Sequence, residues 1–322
     1  MNDGSSVISF PRVNLLINKA SLTVFYFLME NIFSQWNRRQ LVYFLILFIP
    51  RLLIAKFRSD VPTDTLIVLS FSNTEMELNL TQKTIVKTYA NPETPYIRSF
   101  FQFRKYLIDH KFSRSNEYLT VERPLLAGYT LGNSKRAEEK RAAYIGGLVY
   151  INQMSSFRER ITLGAHIRNL NIPSRVTQEG FIEDILSELD MGTLINVRLS
   201  HGDFKDGNIL VNQENNTVNL IDWELVGLRN EYHDFLNLLI HPLVHGADFI
   251  FRRQTNSLEE WLGQFPGVFG DSSKVLNHLP VTILEKASLY LNSGRWLGKE
   301  DECISGLESA WREIAPYLAF AK

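Results

Sequence analysis

Asp203, Lys205, Asn208 and Asp222 are residue types that together could manage phosphoryl transfer. That reaction asks little covalent work of a protein. It needs a carboxylate beside the acceptor hydroxyl, hard oxygen ligands for Mg²⁺ and positive charge on the moving phosphate. Asp203 is the candidate for the first need, Asn208 and Asp222 for the second, and Lys205 for part of the third.

The elements that must bring these groups together are legible around them. Ile209, Leu210 and Val211 form a short apolar run, Asn215 and Asn216 are turn residues, and Val218, Leu220 and Ile221 form a second apolar run. This pattern predicts a β-hairpin with a loop of five or six residues. Asn208 enters its first strand and Asp222 leaves its second, so the two metal ligands meet although they are far apart in sequence. Asp203 lies on the loop leading into the same hairpin.

The stretch HGDFKDGNILV, followed by LIDWE, resembles the catalytic core of the aminoglycoside phosphotransferase and choline kinase group within the protein-kinase-like fold. The order His201, Asp203, Lys205, Asn208 is also similar to the catalytic loop of protein kinases. Gly202 and Trp223 favour the small-molecule branch. The resemblance implies that Asp203 orients or deprotonates the acceptor hydroxyl, that Asn208 and Asp222 hold Mg²⁺, and that Lys205 contacts the transferred phosphate. It makes His201 a brace of the loop, and Asp234 an acceptor of hydrogen bonds from that loop at the start of a helix.

Upstream, Thr65–Phe71, Glu75–Leu80 and Lys83–Tyr89 read as three strands, the second alternating polar and apolar as a half-buried strand does. Three strands with a cation on the third resemble a kinase N-lobe, which makes Lys87 the candidate for the α- and β-phosphates of ATP, with Lys83 as its competitor. No glycine occurs between Gly4 and Gly128, so the phosphate loop would be FSNTE, with Ser72 and Asn73 donating hydrogen bonds in place of a close backbone approach. The helix expected over Tyr96–His110 has no acid before Asp109 to pair with Lys87, and Glu93 is the nearest substitute. Glu117–Leu131 resembles the segment between kinase lobes, with Glu122 to Leu125 facing adenine. The usual fourth strand looks trimmed or missing there, and Val13–Ile17 is a candidate added strand.

The chain has 322 residues, 45% of them hydrophobic, which is enough for one two-lobed domain or two ordinary ones, with a sizeable core. A net charge of −1 gives no field to recruit nucleic acid. Cys303 is the single cysteine, so no internal disulfide forms and a reducing compartment is permitted. The start, MNDGSS, lacks a basic region followed by an apolar core and does not read as a signal peptide. The apolar run in residues 41–55 is shorter than the roughly 20 residues that cross a bilayer, and Pro50 and Arg51 break it. Flanking arginines, with Trp36 and Tyr43, suit either burial on a domain or partner, or peripheral association with an anionic membrane surface.

The expected fold class is therefore α+β, a protein-kinase-like two-lobed fold with a small β-rich N-lobe and a larger, mostly helical C-lobe. Residues 1–60 form an N-terminal helical extension, 61–121 the N-lobe, 122–133 the hinge and 134–322 the C-lobe. The expected activity is Mg²⁺-dependent transfer of the γ-phosphate of ATP to a hydroxyl of a small molecule. The apolar N-terminal stretch leans the acceptor toward a sugar of a cell-surface glycan or lipid-linked saccharide, and the location toward the cytoplasm or the inner face of the membrane. A pseudokinase that binds nucleotide or a partner without turnover is the second reading. His233, His241 and His245 are read as packed or surface side chains. Trp261, Phe265, Phe269, Trp296 and Trp311 are candidates for stacking on a sugar or ring of the acceptor, with packing in the core as the competing and favoured reading.

Overall fold

The computed structural model describes residues 8–10, 15–17, 66–71, 74–79, 82–126, 128–134, 136–154, 158–177, 179–212, 214–215, 217–247, 258–265, 272–292 and 298–318. Ser72, Asn73, Phe269, Trp296 and the apolar segment over residues 22–58 lie outside them. No described helix is long and apolar enough to cross a membrane. The chain divides into two compact units, Met1–Glu93 with Leu107–Tyr129, and Thr94–Tyr106 with Thr130–Lys322.

The first unit is an antiparallel sheet. Its strands are β1 (Ile8–Phe10), β2 (Leu15–Ile17), β3 (Leu66–Phe71), β4 (Thr74–Asn79), β5 (Thr84–Ala90), β6 (Lys111–Arg114) and β7 (Tyr118–Pro124), in the order β1-β2-β3-β4-β5-β7-β6. The three strands expected upstream of the site are present as β3, β4 and β5, and β2 adds to the edge of β3 as the VNLLI run suggests. Side chains alternate across a strand, so Ile85, Lys87 and Tyr89 share one face of β5. Ile85 and Tyr89 are buried there, with Leu78, Leu119 and Val121 beside them.

One expectation is corrected. The helix over Tyr96–His110 is only α1 (Pro95–Gln102), which is followed by a 3₁₀ turn at Arg104–Tyr106. The chain then forms β6, so the fourth strand is present in short form. Leu107 is buried while Ile108 is exposed, and Lys111–Arg114 pairs with Leu119–Glu122. Four residues are too few to display a strand period, and the aromatic run before them masks the break.

The second unit is mostly helical. After α1 come α2 (Ala137–Met154), α3 (Leu163–Asn169), α4 (Ser174–Thr177) and α5 (Gly180–Ser187). Strands β8 (Arg158–Thr162), β9 (Leu194–Ser200) and β12 (Gly227–Asn230) form an antiparallel sheet in the order β12-β9-β8. The hairpin is β10 (Ile209–Asn212) and β11 (Thr217–Leu220), with Asn212 opposite Thr217. Then follow α6 (His233–Val244), α7 (Leu258–Gly263), α8 (Ser272–Leu276), α9 (Leu279–Asn292) and α10 (Glu300–Leu318).

Helices α6 and α9 run through the core. Phe235, Leu236, Leu239, Ile240, Ile283 and Leu284 are all buried to 1% exposure or less. Each such side chain contributes roughly 1.5–3 kcal/mol by leaving water. Trp261 and Phe265 pack on Phe235 with centroids 5.0 Å from its ring, so these aromatics are core, as is Trp311. Helix α10 meets α6 backbone to backbone: a Cβ on Gly306 would lie 2.3 Å from the Val244 carbonyl oxygen.

Candidate active site

Strand β9 ends at Ser200 and delivers the chain into the loop 201–208. Asp234, in the first turn of α6, fixes that entry. Its buried carboxylate accepts hydrogen bonds from Ser200 Oγ at 2.9 Å and from the backbone N–H groups of His201 and Gly202, each at 3.0 Å. A carboxylate at a helix N-terminus is also favoured by the helix dipole. Gly202 has φ +82°, and a Cβ there would lie 2.2 Å from the Leu225 carbonyl oxygen and 2.9 Å from the Arg229 guanidinium. No side chain fits, and the conformation is one that L-residues avoid. Arg229 is itself buried and donates to Leu225 O at 2.7 Å. Burial is the main cause that lowers its pKa from the usual arginine value, opposed by Glu285, Asp234 and Asp203.

His201 bridges the loop to the far end of the hairpin. Its Nδ1 accepts from the Asp203 backbone N–H at 3.3 Å, so Nε2 carries the proton and donates to Ile221 O at 2.8 Å. The ring lies 4.4 Å from that of Trp223. Burial, the largest cause, pushes its pKa down and keeps it neutral. These contacts make His201 a brace with no hydrogen left for proton transfer.

Asp203 is 1% exposed. Its Oδ2 meets Lys205 Nζ at 2.9 Å and accepts from Asn208 Nδ2 at 3.1 Å, which keeps Oδ1 out of both bonds. Asn208 Nδ2 also donates to the Asp203 carbonyl at 2.8 Å. With its amino group committed to two acceptors, the Asn208 amide turns its oxygen the other way, available as a ligand. The Asn208 carbonyl accepts from Ile221 N–H at 3.0 Å, which extends the β10–β11 pairing to the doorstep of Asp222. Asp222 is half-buried at φ +62°, a left-handed conformation for a non-glycine residue that turns the chain sharply out of the hairpin. An amide oxygen and a carboxylate are the hard donors Mg²⁺ prefers, so the residues fit that ion.

Three further residues hold the loop. Asn237, one turn after Asp234 on α6, donates to Phe204 O at 2.8 Å. The Phe204 ring packs against Gly147 of α2, where a Cβ would come within 2.7 Å of it. Asp206 receives Lys140 Nζ at 2.5 Å and the Tyr144 hydroxyl, both from α2. Burial raises the Tyr144 hydroxyl pKa far above the usual range, with the Asp206 charge adding to it.

The structure thus brings together Asp203, Lys205 and Asn208, with Asp222 set beside Asn208 by the hairpin. The other sequence candidates belong to the first unit. Lys87 is half-buried on the covered face of β5, in register with Met76 and Val121, whereas Lys83 sits in the β4–β5 turn at φ +53° and is exposed. Lys87 and Arg123 both oppose protonation of His110, whose pKa falls to about 4 mainly through burial. Glu93 pairs with Arg114. Glu122 receives Lys111 Nζ at 2.9 Å, and the Leu125 N–H donates to Lys83 O at 2.7 Å. His233 bonds Glu285 at 2.6 Å and His241 bonds the Tyr290 hydroxyl at 2.8 Å, as packed histidines do.

Sequence reasoning missed Asn237, Arg229, Glu285 and Lys286. The signal was present in part: Asn237 interrupts the apolar run FLNLLI three residues after Asp234, and Glu285–Lys286 interrupts LPVTIL…ASLYL. Polar residues in a helix that is otherwise apolar all round need partners inside the fold.

Residues 157–265, from β8 through α7, match the family model described as the phosphotransferase enzyme family, APH. A thermostable mutant of aminoglycoside phosphotransferase APH(4)-Ia, in ternary complex with AMP-PNP and hygromycin B, is similar at 14% identity over 82% of this chain and 96% of its own, with a TM-score of 0.51. The ethanolamine kinase of Plasmodium vivax is similar at 12% identity over 90% of this chain and 94% of its own, also with a TM-score of 0.51. The search of curated proteins gave no match. The chain has the protein-kinase-like fold, and its part spanning the catalytic loop and hairpin, residues 157–265, is similar to the phosphotransferase enzyme family.

Proposed function

We propose that this protein transfers the γ-phosphate of ATP to a hydroxyl of a small molecule, with Mg²⁺ held by Asn208 and Asp222. The observation that carries the reading is the joint placement of the Asp203 carboxylate, the Lys205 ammonium and the Asn208 amide oxygen, with Asp222 brought alongside by the hairpin. Such a set does the positioning and charge work that phosphoryl transfer demands. Asp203 holds the acceptor hydroxyl and takes its proton, with Oδ2 tied down by Lys205 and Asn208. Lys205 reaches from Asp203 toward the transferred phosphate. The Mg²⁺ ion supplies neutralisation of phosphate charge when bound. Lys87 contacts the α- and β-phosphates, and Glu122 to Leu125 lie along the adenine.

The family match supports this reading, as does the AMP-PNP complex of the similar aminoglycoside phosphotransferase. The acceptor class we favour is a sugar hydroxyl of a cell-surface glycan or lipid-linked saccharide, on the strength of the basic and apolar N-terminal segment. A catalytically silent nucleotide-binding module is the second reading. It is favoured by the glycine-free chain between Gly4 and Gly128 and by an α1 helix with no acid. The test is Mg²⁺-dependent ADP formation from ATP with a panel of sugars, amino alcohols and aminoglycosides. Turnover that rises with a hydroxyl acceptor is the expected result. Saturable Mg²⁺-ATP binding with no turnover on any acceptor would favour the silent module.

A further inference from the structure

Two consecutive residues of α9, Glu285 and Lys286, are buried to 1% and 0% exposure. Burying two such ions costs several kcal/mol each unless their hydrogen bonds are met by fixed partners, so the partners reveal what the pair holds. Glu285 Oε1 accepts from the Asn230 backbone N–H at 2.7 Å and bonds His166 Nε2 at 2.6 Å. Its Oε2 accepts from Asn230 Nδ2 and bonds His233 Nδ1, both at 2.6 Å. Asn230 ends β12 and His233 begins α6, so this carboxylate fixes the turn from which Asp234 projects.

Lys286 reaches the same helix one level further along. Its Nζ donates to Asn237 Oδ1 and lies 4.4 Å from the centre of the Tyr290 ring. Successive residues on a helix point about 100° apart, so neighbours in sequence can grip two different positions of a facing helix. Those two positions bracket the site. The neighbour of His233, Asp234, holds the loop at residues 200–202, ahead of Asp203. Asn237 holds the carbonyl of Phe204, directly behind it.

We infer that Glu285 and Lys286 are positioning residues for phosphoryl transfer: through Asp234 and Asn237 they set the loop on both sides of Asp203. This rests on Asp203 being the group that meets the acceptor hydroxyl. His166 supplies the contrast. It bonds the same Glu285 carboxylate but comes from α3, which contributes no residue to the turn at Asn230–Asp234 or to the loop, so it belongs to the cluster without belonging to the clamp.

The test compares full-length Glu285→Gln, Lys286→Met and His166→Asn with the unaltered protein by residue-resolved amide hydrogen exchange and by ATP turnover. Glu285→Gln should speed exchange at the His201 and Gly202 amides by about tenfold or more, because their acceptor is no longer fixed. Lys286→Met should do the same at the Asn208 amide, which donates to Lys205 O just beyond Phe204. Amides of β10 and β11 should keep their protection. Both variants should lower kcat with the KM for ATP unchanged, and His166→Asn should leave loop protection and kcat intact. Unchanged loop protection in both α9 variants would overturn the inference. So would a rise shared equally by β10, β11 and the His166→Asn protein, which would mark a purely structural cluster. Should Glu285→Gln not fold, the Lys286→Met result decides alone. If the unaltered protein shows no turnover, the proposed activity falls, and the exchange measurements still decide whether the clamp exists.

Discussion

At the scale of single residues, Asp203 is held with little freedom. One carboxylate oxygen carries both Lys205 and Asn208, the flanking backbone is pinned by Asp234 and Asn237, and Gly202 admits no side chain. A positioned acid–base group contributes about 10²–10⁴-fold in rate. Asp203→Ala should therefore lower kcat by that order and leave nucleotide affinity nearly unchanged, as read by steady-state kinetics beside a nucleotide titration. A loss confined to nucleotide binding would assign Asp203 a different role. The short-range motif made Asp203, Lys205, Asn208 and Asp222 readable, because they lie within one loop and one hairpin. The clamp behind them was not readable. Glu285 lies 55 positions from Asn230, and only tertiary packing tells which polar residue in an apolar helix meets which partner.

At the scale of elements, alternating and apolar runs located β3, β4, β5 and the hairpin, because a half-buried strand alternates polar and apolar residues and a fully buried one reads as a continuous apolar run. The short strand β6 and the sheet β12-β9-β8 escaped that reading. A four-residue strand has no period to display, whereas Leu194–Ser200 does alternate, Ile195, Val197 and Leu199 with Asn196 and Arg198, so its signal was present and passed over. Strand β5 yields a prediction of its own. Lys87 shares the covered face with Ile85 and Tyr89, while Lys83 sits exposed in the preceding turn. Lys87→Ala should weaken ATP binding or transfer, and Lys83→Ala should matter much less, as measured by nucleotide titration and by turnover. Equal effects of the two would remove Lys87 from the phosphates.

At the scale of the whole molecule, histidine burial sets a dependence on acidity. The pKa of His110 is lowered to about 4 and that of His241 to about 2, in both cases chiefly by burial. His278 shifts the same way, again with burial as the first cause. Below about 6.5 the unfolded chain takes up protons at these rings that the folded protein refuses, so stability falls as pH drops through that value. The slope is about 1.4 kcal/mol per pH unit for each proton of difference. Glu285, whose pKa is held below the usual carboxylate range against the cost of burial by His233 and His166, adds a second loss that begins only below about 4.5. The midpoint of thermal unfolding should be flat between pH 7 and 8 and fall steadily between pH 6.5 and 4. A midpoint unchanged from pH 7 to 5 would contradict the neutral, buried state of these histidines.

The central claim is that Asp222, beside Asn208 at the hairpin's open end, is a metal ligand for phosphoryl transfer. Asp222→Asn removes the charge with almost no change in volume, and asparagine tolerates the left-handed backbone found there. The most direct measurement is ADP formation from ATP as a function of Mg²⁺ concentration, in the unaltered protein and in Asp222→Asn, alongside the thermal midpoint of each. The predicted result is loss of Mg²⁺-dependent turnover with an unchanged midpoint. An Asp222→Asn protein that melts like the parent and turns over at a similar rate and Mg²⁺ dependence would contradict it.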